Sequence, residues 1–178
     1  MRRVSDLRGA RKIAEDLSSS LEGSLGETGT SPLRALRFLI EELAANVVQH
    51  SEQPITGFGC AQANHKSRRV EIAFADAGVG FLTSLQRRPE LEGRVSDDAE
   101  ALQFALEPRI SGGRAGKNMG FGLSLLRDLS DRLDGELWLA SGSALLHRRT
   151  AVPGQRVNTI ERIAPWSGAW VCLWFKHP

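Results

Sequence analysis

The chain has 178 residues, 41% hydrophobic and 25% charged, the size and balance of one globular domain with enough length for a real core. Its 23 Lys and Arg against 21 Asp and Glu leave a net charge of only +2, which excludes the strong positive field of a nucleic-acid-binding surface. No apolar run approaches bilayer-spanning length, Met1-Arg2-Arg3 leads into polar sequence, and Cys60 and Cys172 lack metal-ligand spacing; the expectation is a cytoplasmic chain with neither membrane nor nucleic acid among its partners.

Residues Arg3 to Leu21 have helical spacing (Val4, Leu7, Ile13, Ala14, Leu17, Leu21), and Gly23 to Thr30 reads as a loop. Residues 1–30 are thus expected to form a helix and loop leading into a domain of residues 31–178. Ser31-Pro32 is a helix start, a capping hydroxyl before a proline. The helix runs to about His50 with Leu36, Leu39, Ile40, Leu43 and Val47 on its apolar face and Glu42, Asn46 and His50 on a polar line. Strands follow near Ile55–Ala61 and Arg69–Ala75, the second alternating through Val70, Ile72 and Phe74. Asp76-Ala-Gly78-Val-Gly80 turns out of it. A helix is expected over Asp97–Leu106, then a stretch with Gly112, Gly113, Gly116, Gly120 and Gly122, and a helix from near Gly120 through Leu123, Leu126, Leu129 and Leu133 to a stop at Gly135. Glu136–Ser141 and Gly168–Phe175 read as strands, with Leu145–His147 and Val157–Ile163 as weaker ones. Strands grouped beside separate helices indicate an α+β sandwich, helices on one face of a mixed, mostly antiparallel sheet.

Three segments carry chemistry. Glu42 and Asn46, four apart, share one helix face; an amide oxygen suits a hard cation, and a carboxylate one turn away can polarise a hydroxyl or water. Asp76 at a strand end can accept from an amino group while Gly78 and Gly80 let the chain turn and a flat ring approach. The run Lys117-Asn118-Met119-Gly120-Phe121-Gly122-Leu123 passes straight into a helix, where exposed N–H groups and the helix dipole favour phosphate. Singly, each also reads as a solvated helix face, a strand-exit turn or a surface loop.

In this order the three resemble the boxes of the GHKL superfamily, the ATP-binding domains of histidine kinases, gyrases and serine-kinase anti-sigma factors, and within it the stand-alone anti-sigma-factor kinases, whose second glycine box also tends to read Met-Gly-Phe. The resemblance spans roughly Leu33 to Phe175 and implies a two-layer α/β sandwich of the Bergerat type that binds ATP with Mg2+. It makes Glu42 the general base or water-orienting carboxylate and Asn46 the magnesium ligand. Asp76 becomes the acceptor of the adenine amino group, with Gly78 and Gly80 beside the base. Gly116, Lys117, Asn118, Gly120, Gly122 and Leu123 become the lid hinge and phosphate cradle.

Three positions depart from the family pattern: Asn118 where a glycine is usual, Gly168-Ala169 for Gly-Thr, and an insertion-like stretch Leu146–Ile160. His50 has either a phosphate role or a helix-terminal one, and His65, His147 and His177 read as surface. Arg68-Arg69, Arg87-Arg88 and Arg148-Arg149 read as loop decoration. Trp138, Trp166, Trp170 and Trp174 are expected to pack the sheet or a partner, and Cys60 and Cys172 to be core thiols. The expected activity is an ATP-dependent protein kinase acting on a partner protein. Too few residues precede the Glu42 helix for a phosphoacceptor hairpin, so the acceptor is expected on another chain, a serine on an antagonist domain or a histidine on a separate phosphoacceptor. The rival is a nucleotide-gated module that sequesters a partner such as a sigma factor with little or no catalysis. A homodimer stays open.

Overall fold

The computed structural model describes residues 2–4, 6–25, 30–50, 57–64, 66–91, 93–107 and 122–176. Their elements, in chain order, are β1 (Arg2–Val4), α1 (Leu7–Leu25), α2 (Thr30–His50), β2 (Gly57–Asn64), β3 (Arg69–Asp76), α3 (Gly80–Gln86), a 3-10 turn (Pro89–Leu91), α4 (Asp98–Ala105), α5 (Gly122–Arg132), β4 (Glu136–Val152) and β5 (Gln155–Lys176). The five strands form one sheet in the order β1-β2-β3-β5-β4, and all four pairings are antiparallel. The fold is α+β, as expected from the sequence.

The alternation of β3 decides the layers. Val70, Ile72 and Phe74 are buried, and register puts Phe175, Leu173 and Val171 of β5 beside them, with Leu137 and Leu139 of β4 beyond. This row meets the apolar faces of α1 (Ala10, Ile13, Ala14, Leu17, Leu21) and α2 (Leu36, Leu39, Ile40, Leu43, Ala44, Val47), and Leu126 and Leu129 of α5, in one core. The other row leaves Trp138, Trp170, Trp174 and Cys172 half-buried and Cys60 exposed. Cys60 is therefore no core thiol, because one residue's offset along a strand reverses the face; burial pushes the Cys172 thiol up to about 11.

The β4–β5 hairpin turns back on itself. A straight strand would separate Glu136 from His147 by about 36 Å, yet the His147 ring nitrogen lies 2.6 Å from the Glu136 carboxylate and its ring stacks on Trp138 at 4.6 Å. The bend falls at Gly142 (φ +56), amid the register shifts of the pair, and the Asp98 carboxylate of α4 accepts the Ser143 N–H and hydroxyl at 2.8 and 2.9 Å. The returning arm then docks on the end of α5. There Asp131 accepts Arg148 through two bonds (2.9 and 2.7 Å) and Arg156 at 2.8 Å, and Arg156 also donates to Ser130 and the Gly135 carbonyl. Arg148 and His147 are thus packed, contrary to the surface reading: the stretch that looked like an insertion is a folded arm of the sheet.

Candidate functional site

On α2 the apolar face is fully committed to the core, which turns Glu42 and Asn46 to a half-buried edge. Burial, and then the neighbouring charge of Glu41, raises the Glu42 carboxyl above its ordinary value. Glu41 itself is exposed and pairs with Arg37 at 3.2 Å.

Asp76 ends β3 on the same row as Phe74 and pairs in register with Gly57 of β2. A Cβ on Gly57 would lie 2.0 Å from a Val47 methyl. Only glycine lets α2 seat there, and the seat puts Val47, the residue after Asn46, against the β2 position that pairs with Asp76. The helix and the strand pair thus meet.

The Asp76 carboxylate accepts the Gly78 N–H at 2.8 Å and a backbone bond from Ala169. Burial raises its pKa, and these two backbone bonds offset that only in part. It is a desolvated carboxylate with acceptor capacity left over. Gly80 has φ +74, and a Cβ there would meet the Ser141 hydroxyl at 2.5 Å; Gly168 has φ +95, and its Cβ would meet the Asp76 carbonyl at 2.1 Å. β5 thus crosses hard against the Asp76 turn. Ala169 supplies its N–H there and no hydroxyl.

Of the glycine-rich segment, Gly122 opens α5 and Leu123 packs half-buried against the core. Gly116, Lys117, Asn118 and Gly120 lie outside the described residues, as does the expected helix start near Gly120, and nothing is described of the His50 side chain. Sequence reading missed Ser141, which is 2% exposed and joins three segments at the Asp76 turn. A serine in a strand carries no sequence signal for this; only the cross-strand partner at Ala169 reveals it. A polar cavity of about 340 Å³ lies between α4, α5 and the returning arm, lined by residues including Glu107, Arg127, Asp131 and Arg148. None of the described site residues expected from the sequence lines it. Among the described residues no cluster of three His, Cys, Asp or Glu side chains could hold a metal ion, and no helix is long and apolar enough to cross a membrane.

No protein-family profile matches the chain, and no curated protein does. Solved structures with a similar course of chain include domains of histidine kinases. The mycobacterial sensor histidine kinase MprB is 14% identical with a TM-score of 0.44 over 96% of this chain and 95% of that one. The catalytic domain of the histidine kinase ThkA, in a nucleotide-free form, is 12% identical with a TM-score of 0.45 over 99% and 96%. The histidine kinase domain of a blue-light-activated kinase from Erythrobacter litoralis is 13% identical with a TM-score of 0.42, over 94% of this chain and 60% of that one. Values this low carry no functional argument.

Proposed function

We propose that the chain is a Mg-ATP-binding domain of the GHKL type that works as a small protein kinase on a separate partner protein, in the manner of the anti-sigma-factor serine kinases. The observation that carries this is the seat of Val47 on Gly57, opposite Asp76. It supports the reading by bringing the helix of Glu42 and Asn46 against the strand pair that ends at Asp76, the two elements that would form the ends of a nucleotide site. Asp76 would take the amino group of adenine, which supplies the donor its buried carboxylate lacks. Asn46 would give one oxygen to magnesium, which keeps waters and phosphate oxygens as its other ligands, so a single protein oxygen suffices. The metal would neutralise phosphate charge as transfer proceeds. Glu42, its proton affinity raised by burial and by the charge of Glu41, is suited to hold the proton of the attacking hydroxyl. Gly116, Lys117, Asn118, Gly120, Gly122 and Leu123 would cradle the phosphates at the start of α5.

A nucleotide-gated module with little catalysis is the second reading, favoured by Ala169, which brings no hydroxyl to the Asp76 turn. The deciding experiment incubates the purified chain with γ-labelled ATP, magnesium and the proteins that co-purify with it. Label on a partner supports the kinase; tight ATP binding with no transferred label to any candidate acceptor sinks it in favour of the module.

A further inference from the structure

One hydroxyl holds the Asp76 turn from behind. Ser141 lies on β4, paired in register with Ala169 of β5. Its Oγ accepts the Phe81 N–H at 3.0 Å and donates to the Gly168 carbonyl at 2.8 Å. Phe81 follows Gly80, the residue that closes the turn after Asp76, and Gly168 precedes Ala169, one of the two backbone donors to the Asp76 carboxylate. The fit leaves no slack. Gly80 and Gly168 both stand in the left-handed region, and a Cβ on either would strike an atom of this same clasp. A buried hydroxyl with both a donor and an acceptor fixed has one orientation, so it transmits position where an apolar side chain would only fill space.

We propose that Ser141 is a positioning residue for base recognition: by tying the Phe81 amide to the Gly168 carbonyl it aims the Asp76 carboxylate at the amino group of an adenine base. The proposal rests on the ATP-binding reading above. It makes Ser141 a determinant of which purine binds and not of how phosphate or metal is held. Inosine triphosphate is the discriminating probe, since its base has a carbonyl, with a proton on the adjacent N1, where adenine has the amino group and a bare N1. A well-aimed carboxylate gains a bond from the first and faces a like acceptor in the second; a carboxylate free to swing discriminates less.

The experiment measures Kd for ATP and for inosine triphosphate, both with magnesium, on wild type, Ser141→Ala, Ser141→Cys and Ser143→Ala. Ser143 is two residues along the same strand, and its alanine variant loses the hydroxyl bond to Asp98 while keeping the backbone one, so it reports what loosening β4 away from the Asp76 turn does. The expected result is a preference for ATP in wild type that falls about tenfold in Ser141→Ala, the size of a lost hydrogen bond, and stays at the wild-type ratio in Ser143→Ala. Ser141→Cys, close in volume with a weaker donor, is expected to fall part of the way, and it decides the matter should the alanine variant not fold. A wild-type ratio in a folded Ser141 variant overturns the proposal, as does an equal fall in Ser143→Ala or a wild type that does not prefer ATP. A wild type that binds neither nucleotide overturns the ATP-binding reading itself.

Discussion

Asp76 carries a conflict between stability and binding that pH exposes. Its native pKa lies above the ordinary 3.8, chiefly through burial. Between those two values the folded chain holds a proton that the unfolded chain has lost, so stability falls as pH rises through the window, and ionised Asp76 is a net cost at pH 7. Asp76→Asn removes that cost while keeping an oxygen for the Gly78 N–H. The nucleotide-free variant is expected to melt at or above wild type at pH 7, the difference vanishing as pH falls below the ordinary carboxylate value, and to lose about 2–3 kcal/mol of ADP binding. Melting curves from pH 3 to 7.5 and a calorimetric ADP titration check both; a variant less stable at pH 7 yet unchanged in ADP affinity would remove Asp76 from the site. Glu42 separates differently. A base contributes mainly in the transition state, so Glu42→Gln is expected to bind Mg-ATP nearly as wild type and lose about two to four orders of magnitude in turnover. Matched binding and rate assays check this, and an equally fast Glu42→Gln would mean that Glu42 is not the base.

At the scale of elements, the returning arm is held to α5 by ions and not by apolar burial alone. Burial raises the pKa of Asp131, but the bonds and charge of Arg148, with those of Arg156, overcome this and hold it below 3.8. The stability it contributes is present above the ordinary carboxylate range and lost as pH falls through the lowered value. Asp131→Ala leaves two guanidiniums, 14% and 15% exposed, without their shared carboxylate. The expected cost is about 2 kcal/mol, a buried pair's loss discounted for partial solvation, read as a shift of the urea midpoint at unchanged m-value. No shift would mean the arm is held by Leu146 and Ala144 in the core alone. This arm was not legible in the sequence, and the reason is physical. The pattern resolves only four short strands, Glu136–Ser141, Leu145–His147, Val157–Ile163 and Gly168–Phe175, because the positions between them depart from strand alternation; the ladder in fact continues through bulges. Helix α3 was missed because Gly80-Phe81-Leu82-Thr83 has weak helix propensity, and Leu85 packing on Leu91, Val95 and Ala101 supplies what propensity lacks. β1 has three residues, too few for any periodicity. By contrast α2, β3 and α4 were legible almost to their ends, since each has strict periodicity or a side-chain cap: Asp97 accepts the Glu100 N–H at 2.8 Å.

For the whole molecule, α2 links the candidate site to stability. It gives six side chains to the core and, on its other edge, Glu42 and Asn46, so a ligand held there should stabilise the entire fold by mass action. At about 100 times Kd, a ligand bound only by the folded chain adds about 2.7 kcal/mol. The two ends of the site can then be read separately in melting experiments with magnesium alone, ADP alone, and both. Wild type is expected to gain nothing from magnesium alone, something from ADP through Asp76, and more from both, because the metal needs phosphate oxygens beside the Asn46 amide. Asn46→Ala is expected to keep the ADP increment and lose the extra step that magnesium adds. Asp76→Asn is expected to lose most of the ADP increment and, with it, the magnesium step, since the metal has no phosphate to join. The apolar face of α2 is untouched in both variants, so their ligand-free melts provide the baseline. Should Asn46→Ala retain the full magnesium step, the metal is held elsewhere and the polar line on α2 is only a solvated face; should wild type gain nothing from ADP with magnesium, the seat of Val47 on Gly57 joins two elements of a core and no nucleotide site.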